Sequence, residues 1–149
     1  MRTTALSAEP RLVYADSSAL VKLVIEEHES TALERHFARA PVLATSRIAL
    51  VEVSRATRLA NPAPEVQSEA QLLLASCMLI DVTDGLLRAA AGLASATVRT
   101  LDAVHLASAL RIDADELVAY DRRLLAAAVE QGITIASPGA LTPPEGPTG

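Results

Sequence analysis

The stretch Leu12-Val13-Tyr14-Ala15-Asp16-Ser17-Ser18-Ala19-Leu20-Val21-Lys22 decides how the rest of the chain is read. Its first four residues form a short apolar run of strand length. Asp16 ends the run, and Ser17-Ser18-Ala19-Leu20 opens a helix reaching to about residue 26. A strand that feeds straight into a helix is the first half of a βα unit.

The same grammar recurs downstream. Val42–Thr45 reads as a strand before a helix over about 46–59. Leu79–Val82 reads as a strand before a helix that Thr83-Asp84 caps and that runs to about Ala96. Leu117–Tyr120 precedes a helix over 122–131, and Ile133–Ala136 is a last strand after Gly132. Further helices are expected over 29–39, over about 65–77 after the break Asn61-Pro62-Ala63-Pro64, and over 101–111. Short aliphatic strands alternating with helices predict an α/β fold of three layers, a central parallel β-sheet flanked by helices.

The chain has 149 residues, enough for one domain with one core. Half of it is apolar, and Tyr14, Phe37 and Tyr120 are the only aromatic residues, so the core must be aliphatic. Residues 1–10 read as a flexible lead-in and 11–137 as the domain. Four of the eight prolines fall in 138–149, so that tail reads as irregular. The single cysteine, Cys77, lies in an apolar run and reads as core; it forms no internal disulfide, which fits a cytoplasmic location. Residues 1–10 lack the apolar stretch of a signal peptide, and no run approaches the roughly 20 residues of a membrane span. The net charge of −5 argues against a polybasic nucleic-acid binder. Yet 12 of the 13 basic residues are arginine, whose fork suits phosphate.

Four carboxylates stand in or beside apolar runs: Asp16, Glu52, Asp102 and Asp121. There an acid is costly unless something compensates it. In a parallel sheet, ligands bind at the carboxyl ends of the strands. Asp16 and Asp121 fall at two such ends. Glu52, in the second turn of its helix, and Asp102, in the first turn of its own, start from the same edge. Four hard oxygen donors there suit Mg2+ or Mn2+ and phosphodiester chemistry. Each has a plainer reading. Asp16 and Asp121 are candidate helix caps, and Asp102 suits the positive end of a helix dipole. Glu52 has only Arg55, at i+3, as a local partner. Asp113, Asp115 and Glu116, and likewise Glu26, Glu27 and Glu29, read as solvated clusters; Asp81 and Asp84 read as caps. His105, at i+3 from Asp102, reads as ligand, proton shuttle or core histidine, and the oxygen preference of Mg2+ favours the last. Ser17 and Ser18 read either as caps or as groups near a metal, and Ser46 as a cap.

At these residues the chain resembles the PIN-domain nucleases, and more narrowly the VapC-type toxins of bacterial type II toxin–antitoxin pairs. The matching pieces are Val13-Tyr14-Ala15-Asp16-Ser17-Ser18-Ala19-Leu20-Val21-Lys22, Leu50-Val51-Glu52-Val53-Ser54-Arg55-Ala56, Leu101-Asp102-Ala103-Val104-His105-Leu106-Ala107-Ser108-Ala109 and Leu117-Val118-Ala119-Tyr120-Asp121-Arg122-Arg123-Leu124. The four acids follow in the family's order, 36, 50 and 19 residues apart. The resemblance implies a PIN-like fold whose catalytic and metal-binding residues are Asp16, Glu52, Asp102 and Asp121 around Mg2+ or Mn2+. It also implies endonucleolytic cleavage of single-stranded RNA, a cognate antitoxin over the acidic groove, and a homodimer. The chain departs from the pattern at Ala119, where such proteins usually carry Thr or Ser, which leaves the role of Asp121 open.

Rival folds lack their own key residues. A haloacid-type phosphatase needs a second Asp where Ser18 stands. A receiver domain needs a late lysine, and the one lysine is Lys22. A degenerate PIN-like module that binds RNA or a partner without catalysis is the alternative from another class.

Overall fold

The computed structural model describes residues 12–39 and 42–141. The opening stretch becomes β1 (Leu12–Ala15) and α1 (Ser17–Val24). Then follow α2 (Ser30–Phe37), β2 (Val42–Ser46), α3 (Ala49–Ala60), α4 (Pro64–Ser76) and β3 (Met78–Ile80). The remainder is α5 (Asp84–Ala91), α6 (Thr100–Arg111), β4 (Glu116–Val118), α7 (Arg122–Glu130) and β5 (Ile135–Ala136).

The five strands form one all-parallel sheet in the order β3-β2-β1-β4-β5. The strand of the opening stretch is thus central. From β1 the chain winds outward through β2 to β3, then returns to pair β4 on the other side of β1. The order reverses between β1 and β4, where parallel sheets leave a crevice at their carboxyl ends. Tyr14 pairs with Leu117 and Ala15 with Val118, and the N–H of Asp16 donates to the carbonyl of Val118 at 3.2 Å. This register brings the ends of β1 and β4 level.

Alternation along β1 divides the core between two faces. Val13 and Ala15 pack with Ala19, Leu20, Leu33, Val53 and Leu74. Tyr14 turns the other way and packs with Leu106, Leu117, Leu124 and Ala128. Helices α1 to α4 cover the first face, and α6 and α7 the second. These are the three layers the alternation implies. Cys77 is buried in the first core, as expected.

Several boundaries differ from the sequence reading. Helix α3 begins only at Ala49, because β2 runs on through Ser46 and residues 47 and 48 turn the chain. Glu52 therefore lies in the first turn of its helix, not the second. Helix α5 stops at Ala91, with Gly92 at its C-cap, five residues short of the expected Ala96. Strand β4 ends at Val118, and its neighbour β5 has only two residues to pair with it.

Some acids read as solvated or capping are in fact partnered. Glu116 is buried on β4 and paired with His36 of α2, and Asp115 accepts from the N–H of Leu12 at 2.9 Å. Glu27 and Glu29 both pair with Lys22. Asp81 pairs with Arg47, while Thr83 is the cap of α5. These partners lie far away in sequence or across a turn, so no local pattern announces them. The lead-in 1–10 and most of the tail lie outside the described residues. Near its start the tail is held by Tyr120, which donates its hydroxyl to the carbonyl of Pro138 at 2.8 Å. Gly139, at φ 79°, passes so close to Glu29 and Ala32 that a Cβ would stand 3.1 and 3.0 Å from them.

Candidate active site

Asp16 ends β1 and caps α1. It is 4 % exposed. Its Oδ1 accepts from the N–H of Ala19 at 3.0 Å, and the Ser18 hydroxyl reaches both carboxylate oxygens at 2.9 and 3.0 Å. Burial raises its carboxyl above the usual aspartate range, and the charge of Asp102 adds to this. The charge of His105 and the hydrogen bonds from Ala19 and Ser18 offset part of it.

Asp121 follows β4 and caps α7. Its Oδ1 accepts from the N–H groups of Arg123 and Leu124 at 2.8 and 3.1 Å. Here capping and ligation are not rivals. The cap occupies one oxygen of Asp121, and among the described residues no donor reaches Oδ2.

Asp102 is the third residue of α6 and is not its cap, a place that belongs to Arg99. It makes no hydrogen bond and no ion pair among the described residues. Burial raises its carboxyl, and the charges of Asp121 and Glu52 raise it further; His105 and Arg99 pull the other way. The same charge interactions tie the four acids together, Asp16 to Asp102 and Asp102 to both Asp121 and Glu52. The four acids are thus within electrostatic reach of one another.

Glu52 proves to have partners after all, though Arg55 is not one. Ser17 Oγ donates to its Oε1 at 2.7 Å, and His105 Nε2 lies 2.8 Å from the same oxygen. Burial by itself pushes Glu52 up, but the hydrogen bonds from His105 and Ser17 outweigh it and hold the carboxyl below the usual range. An ionised carboxylate only accepts, so Nε2 carries the proton. The opposite ring nitrogen, Nδ1, lies 2.7 Å from the hydroxyl of Tyr14. In the neutral ring this nitrogen accepts from Tyr14, a tautomer assigned from the network. Burial raises the Tyr14 phenol, which keeps it protonated as a donor.

The donor set suits a hard divalent cation. Carboxylate oxygens are what Mg2+ and Mn2+ take. Among the described residues Asp102 makes no hydrogen bond, and the hydrogen bonds to Glu52 and to Asp121 fall on one oxygen of each. Among the described residues, no three such side chains stand preassembled as a ligand cage. The carboxylates thus feel one another without being fixed in coordinating positions.

Two basic residues that follow Asp16 and precede Glu52 in the chain are engaged elsewhere: Lys22 by Glu27, Glu29 and the ring of Tyr120, and Arg47 by Asp81. Arg99 and Arg122 are exposed and flank Asp102 and Asp121 in the chain. The sequence reading missed the Tyr14–His105–Glu52 connection. Its one legible signal was the i+3 spacing of Asp102 and His105, which sets them on one helix face. Ser46 supports the turn before α3, accepting from the N–H of Ile48 at 3.2 Å, but is not the cap of that helix.

A buried aspartate at the end of the central strand, a second after the adjoining strand, and acids from two helices lie within electrostatic reach of one another at a switch point. The family model of the PIN domain matches residues 13–130. The chain is 38 % identical over 128 residues to ribonuclease VapC46 of Mycobacterium tuberculosis, covering 85 % of this chain and 97 % of that one. It therefore belongs to the PIN-domain family, in its VapC ribonuclease branch. Solved structures share the fold. One is the sarcin–ricin loop cleaving toxin VapC20 of M. tuberculosis (TM-score 0.67, 19 % identity, 77 % of this chain and 94 % of that one). Another is VapBC2 of Rickettsia felis bound to a promoter DNA fragment (TM-score 0.64, 14 % identity, 83 % and 96 %).

Proposed function

We propose that this chain is a metal-dependent endoribonuclease and the toxin of a type II toxin–antitoxin pair. The observation that carries the reading is Asp102. It is an acid raised by burial and by its neighbours' charges, against the opposing pull of His105 and Arg99, and it makes no hydrogen bond or ion pair among the described residues. Such an arrangement costs stability and serves a fold only when a cation completes it.

Asp16, Glu52, Asp102 and Asp121 would hold Mg2+ or Mn2+. When bound, such an ion supplies a Lewis acid for the phosphoryl oxygens and a water acidic enough to attack phosphorus. The protein's own contribution is placement. Ser18 and the Ala19 N–H fix Asp16, the first turn of α7 fixes Asp121, and Ser17 with His105 fixes Glu52. Without an ion these carboxylates repel a phosphate chain, so RNA binding is coupled to metal binding. The exposed Arg99 and Arg122 stand where backbone phosphates would approach.

The proposal extends to partners: single-stranded RNA as substrate, a cognate antitoxin that covers the acidic pocket, and a homodimer. The likeness to ribonuclease VapC46 supports the RNA substrate and the likeness to a solved VapBC2 assembly supports the antitoxin, while the homodimer rests on the family resemblance alone. The experiment is RNA cleavage by purified protein with Mg2+ or with chelator, for the wild type and for Asp16→Asn and Asp102→Asn. Cleavage confined to metal-loaded wild type is expected. Metal-independent cleavage, or full activity in both variants, overturns the reading, and inactive wild type would favour a non-catalytic binding module.

A further inference from the structure

We infer that His105 is a positioning residue that selects which oxygen of Glu52 is offered to a cation. The inference rests on the metal-site reading above and goes beyond it to a residue that is not itself a ligand.

The argument starts from lone pairs. A carboxylate oxygen has two acceptor sites. Both donors that reach Glu52 converge on Oε1, Ser17 Oγ at 2.7 Å and His105 Nε2 at 2.8 Å. Oε1 is thereby saturated, and among the described residues no hydrogen bond reaches Oε2. The imidazole cannot easily swing away, because its side chain is 2 % exposed against 26 % for Glu52. Its far nitrogen is held by the Tyr14 hydroxyl at 2.7 Å, and the two rings meet edge to face, centroids 5.8 Å apart. Tyr14 is wholly buried on the central strand.

The chain Tyr14–His105–Glu52–Ser17 thus runs through β1, α6, α3 and α1. It grows more exposed toward Glu52, which is where a ligand would be needed. His105 also stands one turn beyond Asp102 on α6. The bond to Glu52 therefore ties the acid of α3 to the helix that carries Asp102. Orienting partners of this kind govern metal affinity about 10–100-fold where they have been removed from other sites.

The test is titration of the metal-free protein with Mn2+ alone, by calorimetry, alongside RNA cleavage as a function of Mn2+ concentration. His105→Leu keeps bulk and removes the donor; His105→Gln keeps an N–H near the place of Nε2. A roughly 10-fold or greater loss of Mn2+ affinity is expected for His105→Leu. His105→Gln should recover most of it, and saturating Mn2+ should restore most of the cleavage rate in both. Should His105→Leu fail to fold, Tyr14→Phe serves instead. It frees Nδ1 to take the proton from Nε2, and a several-fold loss of affinity is expected. Folded His105→Leu, or in its place Tyr14→Phe, binding Mn2+ as tightly as the wild type overturns the inference while leaving the metal site standing. Wild type that binds no Mn2+ overturns both.

Discussion

Ser17 donates its hydroxyl to Oε1 of Glu52 across 2.7 Å, joining two residues 35 apart in the chain. The bond ties the first turn of α1 to the first turn of α3 beside the buried Asp16. A hydrogen bond to a charged group contributes about 1.5–3 kcal/mol net. Ser17→Ala should therefore lower unfolding free energy by about 1–2 kcal/mol, given that His105 still serves Glu52. Urea denaturation with chelator present measures this. An unchanged midpoint would show that the bond contributes nothing.

Asp102 carries cost without a partner, so its removal should help the metal-free fold. Asp102→Asn is expected to raise thermal stability by roughly 2–4 °C, about 1 kcal/mol in a chain of this size, while abolishing cleavage. Differential scanning calorimetry in chelator and an RNA cleavage assay give the two halves. A destabilised variant would mean that Asp102 has an unseen structural task.

Asp121 separates capping from ligation. Asn caps a helix about as well as Asp, whereas Ala costs about 1 kcal/mol. Asp121→Asn should thus keep wild-type stability and Asp121→Ala should not, while both lose at least about tenfold in cleavage rate if Oδ2 serves the cation. Wild-type cleavage by Asp121→Asn would reduce Asp121 to a cap, the outcome that Ala119 leaves open.

The pH dependence of stability should carry the signature of the acids. Burial first, then neighbouring carboxylates, raises Asp16 and Asp102 above the ordinary 3.8. An aspartate raised in the fold stabilises while protonated, and that contribution fades as pH rises through its folded value. Glu52 acts oppositely. Although burial pushes it up, His105 and Ser17 hold it below the ordinary 4.5, so its contribution is present above that value and is lost as pH falls through the folded one. In chelator, the stability advantage of the double variant Asp16→Asn, Asp102→Asn over wild type should therefore grow as pH rises from about 4 and then level off. Denaturant midpoints across that range decide it, and a constant gap would remove the charge argument.

An ion that binds only the folded state stabilises it by mass action, about 2.7 kcal/mol at a hundred times its dissociation constant. Mg2+ or Mn2+ should raise the melting temperature of wild type in proportion to the logarithm of its concentration. Asp16→Asn should lose that response. Equal shifts in both proteins would place the ion elsewhere.

Much of this architecture was legible in residue order. Aliphatic runs of four residues before helix-starting segments reveal a parallel sheet because hydrophobic period and capping chemistry are local. The four acids could be picked out because a carboxylate in an apolar run breaks a local rule. Boundaries read less well. Ser46 extended its strand because β3 offers a partner at Ile80, and this shifted Glu52 into a first turn.

Composition and pattern alone therefore determined the α/β class and singled out the carboxylates at the strand ends. Only the tertiary structure decided which acids are satisfied and which are left exposed to one another. Glu52, whose one candidate partner in the sequence is Arg55, is bonded instead to Ser17 and His105. Asp102, which suits its helix dipole, makes no hydrogen bond among the described residues. Sequence pattern records what neighbours along the chain can do, whereas these bonds join residues 35, 53 and 91 positions apart, brought together by the reversal of strand order beside β1.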